Sequence, residues 1–385
     1  MKVLIANFYY DDDISNEQEL LERYYTSTGW AEAIQRKGID VAVVNRFHKE
    51  GFLKANKVKY YFVKDPFRGR LKSWQVSMKC LKKIAHLNPD VVHIHGISIT
   101  LHLFLLRMLL PRKTAIIVQD HKSVGGKRRF IHNFFNRPAD GFFFASYDLG
   151  KEWLSMKGQF RKIFPVMEGS SFFNFETRDA DRNYYYSDRN AARKLTNLNG
   201  SPVFLWVGRL HDHIDPLTVL DGLEILFQKF SSASFYMIHS GGKLFSAVQK
   251  KIEGSQILKQ RVHLLGKIDR RKIKIYYDSS DYFVVGSHYE GSVYALSEAL
   301  SCGCVPIVTN IPTFRIMTDE GKLGALWEPG NKNSFVEAAK IAMNKPLKNE
   351  GEACIRFFRE NLSFDAIADK AIAHYQKLIE RRSGK

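Results

Sequence analysis

The chain is 385 residues long, 45% hydrophobic and 25% charged, with a formal net charge of +18. One hydrophobic core rarely serves so long a chain, which predicts two domains of an ordinary globular protein. Four cysteines occur, Cys80, Cys302, Cys304 and Cys354, with no CxxC pair, which excludes a zinc framework and points to a reduced, cytoplasmic setting.

The first residues, MKVLIANFYY, lack the apolar core of a signal peptide. Strand-length apolar runs follow at 2–6, 41–44, 91–94, 114–118 and 141–145. They resume at 203–207, 234–238, 262–265, 282–285 and 305–309. Helix-period segments lie between them. Continuous apolar strands alternating with helices predict parallel sheets covered on both faces. The expected fold is therefore α/β, with two doubly wound, Rossmann-like domains. The run 99–110, ITLHLFLLRMLL, is too short and too polar to span a bilayer, and a buried helix is expected there, with interfacial membrane contact as the alternative. Residues 174–200 are polar, have no apolar period and end in Asn-Gly. The expected limits are an N-terminal domain at 1–170, a linker at 171–200 with room for one short helix, a second domain at 201–355 and an amphipathic C-terminal helix at 356–385, for which Ser363 is a candidate N-cap.

The basic excess is uneven. Residues 1–200 hold 33 Lys and Arg against 20 Asp and Glu, a net of +13, whereas the rest hold 25 against 20, a net of +5. Such a surface attracts anionic partners such as phospholipid head groups or acidic glycans, or it is simply a solvated face. Nucleic acid is not expected as a partner, because no zinc finger, RNP-like motif or helix-turn-helix signal is present.

In parallel sheets, ligands sit beyond the carboxyl ends of the strands. Those positions hold the run Asp11-Asp12-Asp13, His93 and His95, and Asp120 with His121. In the second half they hold Gly208 and Arg209, Gly241-Gly242-Lys243, Gly266 with Lys267, and Gly286 to Glu290. Two sheets whose ends faced each other would form a cleft between domains. Glu290 before a helix and Glu298 within it could border one pocket. A carboxylate accepts two hydroxyl hydrogen bonds and so suits a sugar diol. The helix start between them, at Gly291, Ser292 and Val293, is a natural anion site. Arg209 can fork onto a diphosphate. His121 could donate to a sugar hydroxyl or a developing charge. The His93-x-His95 and His211-x-His213 pairs lack a third ligand at fixed spacing, so no metal is expected. The aspartate run reads as a polar turn or an acceptor contact.

With these residues in place, EGSVYALSEALSCGCVPIVT resembles the Glu-x7-Glu motif and following strand of the retaining glycosyltransferases of family 4. VGRL, DPLTVL, DVVHIHG, VQDH and the final LSFDAIADKAIAHYQKL also fit. The resemblance implies the two-domain GT-B architecture, facing across a cleft, with the C-terminal helix crossing back onto the N-terminal domain. It also implies a transferase that needs no metal or other cofactor and takes a nucleotide diphosphate sugar as donor. By that resemblance Glu290 contacts the donor sugar and Glu298 the ribose, while Arg209, helped by Gly208, neutralises the diphosphate. Backbone N–H groups of Gly291 to Val293 assist, and His121 reaches the sugar. Two departures stand out. Ile214 occupies the position where the family has a lysine, for which Lys267, Lys243 or Lys122 could substitute. The loop after the first strand is acidic and lacks the usual glycine pair.

The reading that results is a cytoplasmic glycosyltransferase, retaining configuration, in surface polysaccharide or glycoconjugate assembly. Its partners would be a nucleotide sugar and a glycan or lipid-linked acceptor, with peripheral contact to an anionic membrane at its inner face. A non-catalytic GT-B-like partner in a glycan-assembly complex is the alternative.

Overall fold

The computed structural model describes residues 1–72, 74–96, 100–120, 134, 136–154, 157–170, 188–291 and 293–384. The chain divides into two compact units: Met1–Gly169 with Phe364–Lys385, and Ser170–Ser363.

The first unit is built on a sheet of strands β1 (Lys2–Asn7), β2 (Asp40–Phe47), β3 (Gly51–Ala55), β4 (Val58–Lys64), β5 (Val91–His95), β6 (Ala115–Gln119), β7 (Gly141–Phe144) and β8 (Ile163–Pro165). Their order is β3-β4-β2-β1-β5-β6-β7-β8, parallel except for β3 against β4. The central strands β5 (VVHIH) and β6 (AIIVQ) are buried along their length, as their Val- and Ile-rich runs imply. The β3–β4 hairpin turns through Asn56 and Lys57, both with positive φ (47° and 65°), the two-residue geometry whose twist matches its strands.

The second unit holds β9 (Val203–Val207), β10 (Ser234–Ile238), β11 (Val262–Gly266), β12 (Tyr282–Val285), β13 (Val305–Thr309) and β14 (Ala325–Trp327). The order is β11-β10-β9-β12-β13-β14, all parallel. Both units are thus doubly wound α/β sheets.

The boundaries differ from expectation at two places. The second unit begins before residue 201, because helix Arg189–Thr196, the short helix allowed for in the linker, packs on it. Arg193 Nη2 lies 2.6 Å from Asp281 Oδ2, and that same carboxylate oxygen accepts from the Val203 N–H at 2.7 Å. At the other end, the segment 356–385 opens inside one helix and holds the whole of the next, which starts just after Ser363. Leu347–Asn361 belongs to the second unit, and Phe364–Arg382 belongs to the first. The last helix buries Phe364, Ile367, Ala371, Tyr375 and Leu378. Tyr375 Oη and His93 Nδ1 share a hydrogen bond of 2.8 Å, and Arg36 and Lys37 reach Asp365 and Asp369, each at 2.7 Å.

Helix Thr100–Leu109 is also not buried as expected. Leu103, Leu106 and Leu110 face the core, but Phe104, Met108 and Leu109 are exposed.

Candidate active site

In the second sheet, β9 and β12 are neighbours although more than seventy residues separate them. The strand order reverses there, and the crevice at the carboxyl ends of two such strands is where doubly wound sheets take ligands. Gly208 and Arg209 follow β9, and residues 286–290 follow β12. Gly286 makes the junction: a Cβ there would lie 2.8 Å from the Asp215 carbonyl oxygen and 3.1 Å from that of Ile214. The loop 211–215 can therefore cross the end of β12 only over a glycine. The His288 N–H donates to the His213 carbonyl at 2.8 Å, and His288 Nε2 lies 3.0 Å from Asp215 Oδ2. On the other side, Gly242 has φ +144°, and a Cβ would stand 2.2 Å from the Leu210 carbonyl oxygen. The Leu210 N–H donates to Gly241 and the Leu244 N–H to Leu210, each at 3.0 Å. The loops after β9, β10 and β12 form one stitched rim.

The two glutamates sit on this rim in different surroundings. Glu290 is half-buried. Its Oε1 accepts from the Ser287 hydroxyl at 2.9 Å, and its carbonyl accepts from Thr313 Oγ1 at 2.7 Å. Burial raises its pKa, against the lowering effect of Ser287. Glu298 lies inside helix Tyr294–Ser301 and is 5% exposed. Tyr277 donates to its Oε2 at 3.1 Å, and Arg270 Nη2 is 3.4 Å from its Oε1. Burial pushes its pKa up to about 7, and the Arg270 charge and the Tyr277 hydroxyl only partly counter this. Tyr277 thus aims the carboxylate, leaving Glu298 poised between protonation states.

The helix that carries Glu298 starts without a side-chain cap. Val293 at the cap position is extended (φ −121°, ψ 97°) and cannot accept from the first turn. Gly291 just before it is buried. Arg209, Lys243 and Lys267 are exposed, and none has a hydrogen-bonded or ion-paired side chain among the described residues. Each follows a different strand of the adjacent trio β9, β10 and β11, so three uncompensated cations share this end of the sheet. Ile214, half-buried, closes the single turn Asp212–Ile214 and brings no charge. Ser292, His121 and Lys122 lie outside the described residues.

Arg270 and Tyr277 were not legible as site residues, because they reach Glu298 from a separate helix, Arg270–Asp278. A row of rings was missed as well. His211 and His213 stack at 6.0 Å, and His213 and Tyr289 at 5.2 Å, nearly parallel. Its signal was the His-x-His spacing, which was weighed only for metal. Among the described residues no group of three or more His, Cys, Asp or Glu could hold a metal ion.

The strand-end candidates of the first unit have structural partners. His93 and His95 are buried and stacked at 4.8 Å, and burial holds His95 down at about 4, so it is neutral. Asp11 pairs with Arg23 at 3.2 Å and accepts from the Asp13 N–H, a polar turn. Asp120 is buried.

Residues 188–359 match the family model described as glycosyl transferases group 1, and residues 20–119 match glycosyl transferase 4-like. A UDP-Gal:alpha-D-GlcNAc-diphosphoundecaprenol alpha-1,3-galactosyltransferase of Escherichia coli is 29% identical over 154 residues. That match covers 40% of this chain and spans only 39% of the length of that protein. Solved structures are similar over nearly the full length. A glycosyltransferase from Rickettsia africae ESF-5 has a TM-score of 0.72 at 15% identity, covering 98% of this chain and 99% of that one. Anabaena Alr3699/HepE in complex with UDP gives 0.69 at 12%, covering 98% and 100%. Sucrose-phosphate synthase from Thermosynechococcus elongatus gives 0.67 at 17%, covering 98% and 99%. The two family matches together span most of the chain, and the likeness to the solved structures extends over both doubly wound units. The chain belongs to the group 1 glycosyltransferases and has their GT-B fold.

Proposed function

We propose that this protein moves a sugar from a nucleotide diphosphate sugar to a hydroxyl acceptor, with retention of configuration. The observation that carries the reading is the rim around helix Tyr294–Ser301: an uncapped helix start flanked by Glu290 and the buried Glu298, with three cations, unpaired among the described residues, after the strands β9, β10 and β11 of the same sheet. Glu298 accepts from the ribose hydroxyls, its carboxylate aimed by Tyr277. Glu290 contacts the donor sugar. Arg209, with Lys243 and Lys267, balances the diphosphate, as do the N–H groups at Gly291 to Val293. His121 is the further candidate for a contact with the donor sugar. No cofactor is required, since cationic side chains supply the charge that a metal would bring.

The reaction breaks the bond between the anomeric carbon and the diphosphate oxygen. The acceptor oxygen bonds to that carbon on the same face, and its proton passes to the departing diphosphate. The acceptor is a glycan or a lipid-linked glycan of surface polysaccharide assembly. This reading is supported by the E. coli relative, whose name specifies a diphosphoundecaprenol substrate. It places the protein in the cytoplasm, in peripheral contact with the inner face of the membrane. Among the described residues no helix is long and apolar enough to cross a membrane.

Thermal shift across UDP and GDP sugars, with a donor-hydrolysis assay, tests the proposal. The expected result is one donor that stabilises the wild type but not Glu298→Ala or Arg209→Ala, and that is slowly hydrolysed. Equal stabilisation of all three proteins would mean the site is misplaced. The uncharged Ile214 favours a second reading, a non-catalytic binding partner; tight donor binding without turnover under varied acceptors would select it.

A further inference from the structure

Helix Thr100–Leu109 is apolar on two sides. Its inner side fills the first unit's core, and its outer side presents Phe104, Met108 (72% exposed) and Leu109 to solvent. It packs beside helix Met78–His86, which brings exposed Met78 and, four residues earlier, Trp74 at 66% exposure. The two helices are tied together. The Ser77 N–H donates to His102 Nε2 at 2.9 Å, and the His102 ring packs on Phe8 at 4.8 Å. The apolar surface is therefore held on a fixed platform.

Exposed cations lie on the same helix as Met78 and just past the end of the other. Lys72, Lys79 and Lys82 are exposed, and their side chains have no acidic partner among the described residues. Lys79, Lys82, Lys83 and His86 line an open hollow of about 390 Å³ with Glu50 and Val63. Beyond the end of the second helix, Arg112 and Lys113 are exposed and likewise unpaired.

We propose that the outer face of helices Met78–His86 and Thr100–Leu109, with Trp74, docks on an anionic lipid bilayer. Exposed apolar side chains on one face with cations beside them suit the boundary between head groups and acyl chains. The occupant follows from charge. A second copy of this chain would bring the same lysines against these, in a half of the sequence with a net charge of +13. Anionic head groups neutralise them. A tryptophan at the rim fits the same boundary, where its ring is buried and its N–H stays wet. The inference rests on the proposed function only for its purpose, which is to bring a lipid-linked acceptor to the enzyme. The surface itself is independent of that reading.

Trp74 offers a direct test. The other four tryptophans, Trp30, Trp153, Trp206 and Trp327, are all buried. The protein, without nucleotide sugar, is mixed with vesicles of phosphatidylglycerol and phosphatidylcholine, and separately with pure phosphatidylcholine. The expected results are co-sedimentation with the anionic vesicles only, weakening as salt rises, a blue shift of emission, and quenching by brominated acyl chains. The shift and the quenching should vanish in Trp74→Phe. Phe104→Ser with Met108→Ser, and separately Lys79→Glu with Lys82→Glu, should each reduce vesicle binding about tenfold or more. Donor hydrolysis in vesicle-free solution should be unchanged in both double variants, which separates failure of this surface from failure of the active-site proposal. The inference is overturned by absence of binding, by equal binding to pure phosphatidylcholine, or by binding that leaves Trp74 emission unchanged. A wild-type dimer that Phe104→Ser with Met108→Ser converts to monomer would also overturn it, giving the face to a second copy.

Discussion

At the residue scale, the two glutamates of the rim separate by burial. Glu298 titrates at about 7 in the folded protein, against roughly 4.3 for a free glutamate. Between those values the folded state holds a proton that the unfolded chain has released. Stability in the absence of donor therefore falls as pH rises through this window, by at most about 4 kcal/mol. Glu298→Gln should flatten that slope and melt higher than wild type above pH 7, while losing stabilisation by the donor. Thermal melts from pH 5 to 8, with and without donor, check both halves. Arg209 gives the opposite profile. It is exposed and unpaired among the described residues, so Arg209→Ala should change unfolding free energy by no more than about 0.5 kcal/mol. Its turnover should drop by about 100-fold or more, which steady-state kinetics would measure. Activity should survive EDTA; loss that Mg²⁺ or Mn²⁺ restores would put a metal where cationic side chains are proposed.

At the scale of elements, Asp281 holds the second unit's first helix to its sheet. Its carboxylate is buried and takes Arg193, Arg189 and the Val203 N–H together. Asp281→Ala would strand two arginines, and a loss of about 3–5 kcal/mol is expected in urea titration. That contact also shows what sequence reading could and could not reach. The apolar runs marked ten strands because a strand buried on both faces is built mostly from apolar side chains. The β3–β4 hairpin escaped notice because its strands, GFLKA and VKYYFVK, carry lysines that break up any continuous apolar run. β8 and β14 are three residues each, too short to carry a pattern. The attachment of helix Arg189–Thr196 to the second unit was hidden by polarity, since its arginines satisfy an aspartate that lies far away in sequence. In the site, Glu290 and Glu298 were legible from one contiguous motif. Arg270 and Tyr277 were not, because only folding brings their helix to Glu298. Helix Thr100–Leu109 was misread for a related reason: composition records how apolar a helix is, not how many sides are covered.

At the scale of the whole molecule, the first unit is closed by residues from the far end of the chain. Helix Phe364–Arg382 supplies core side chains to it and meets β7's entry through Arg382 and Asp140. Removing 364–385 should abolish cooperative melting of the first unit and leave the second folded, a result that limited proteolysis with mass spectrometry would resolve. The same arrangement sets an order of events at the ribosome. The first unit is translated first yet cannot close its core until its last helix emerges, whereas the second unit is complete as soon as residue 363 has left the exit tunnel. At about 5–20 residues per second, some tens of seconds pass between synthesis of β1 and arrival of its final partner. During that interval the apolar bed awaiting Tyr375 and Leu378 is open to chaperones. Ribosome-stalled chains ending shortly after residue 363 should accordingly show a protease-resistant second unit and a chaperone-bound first one.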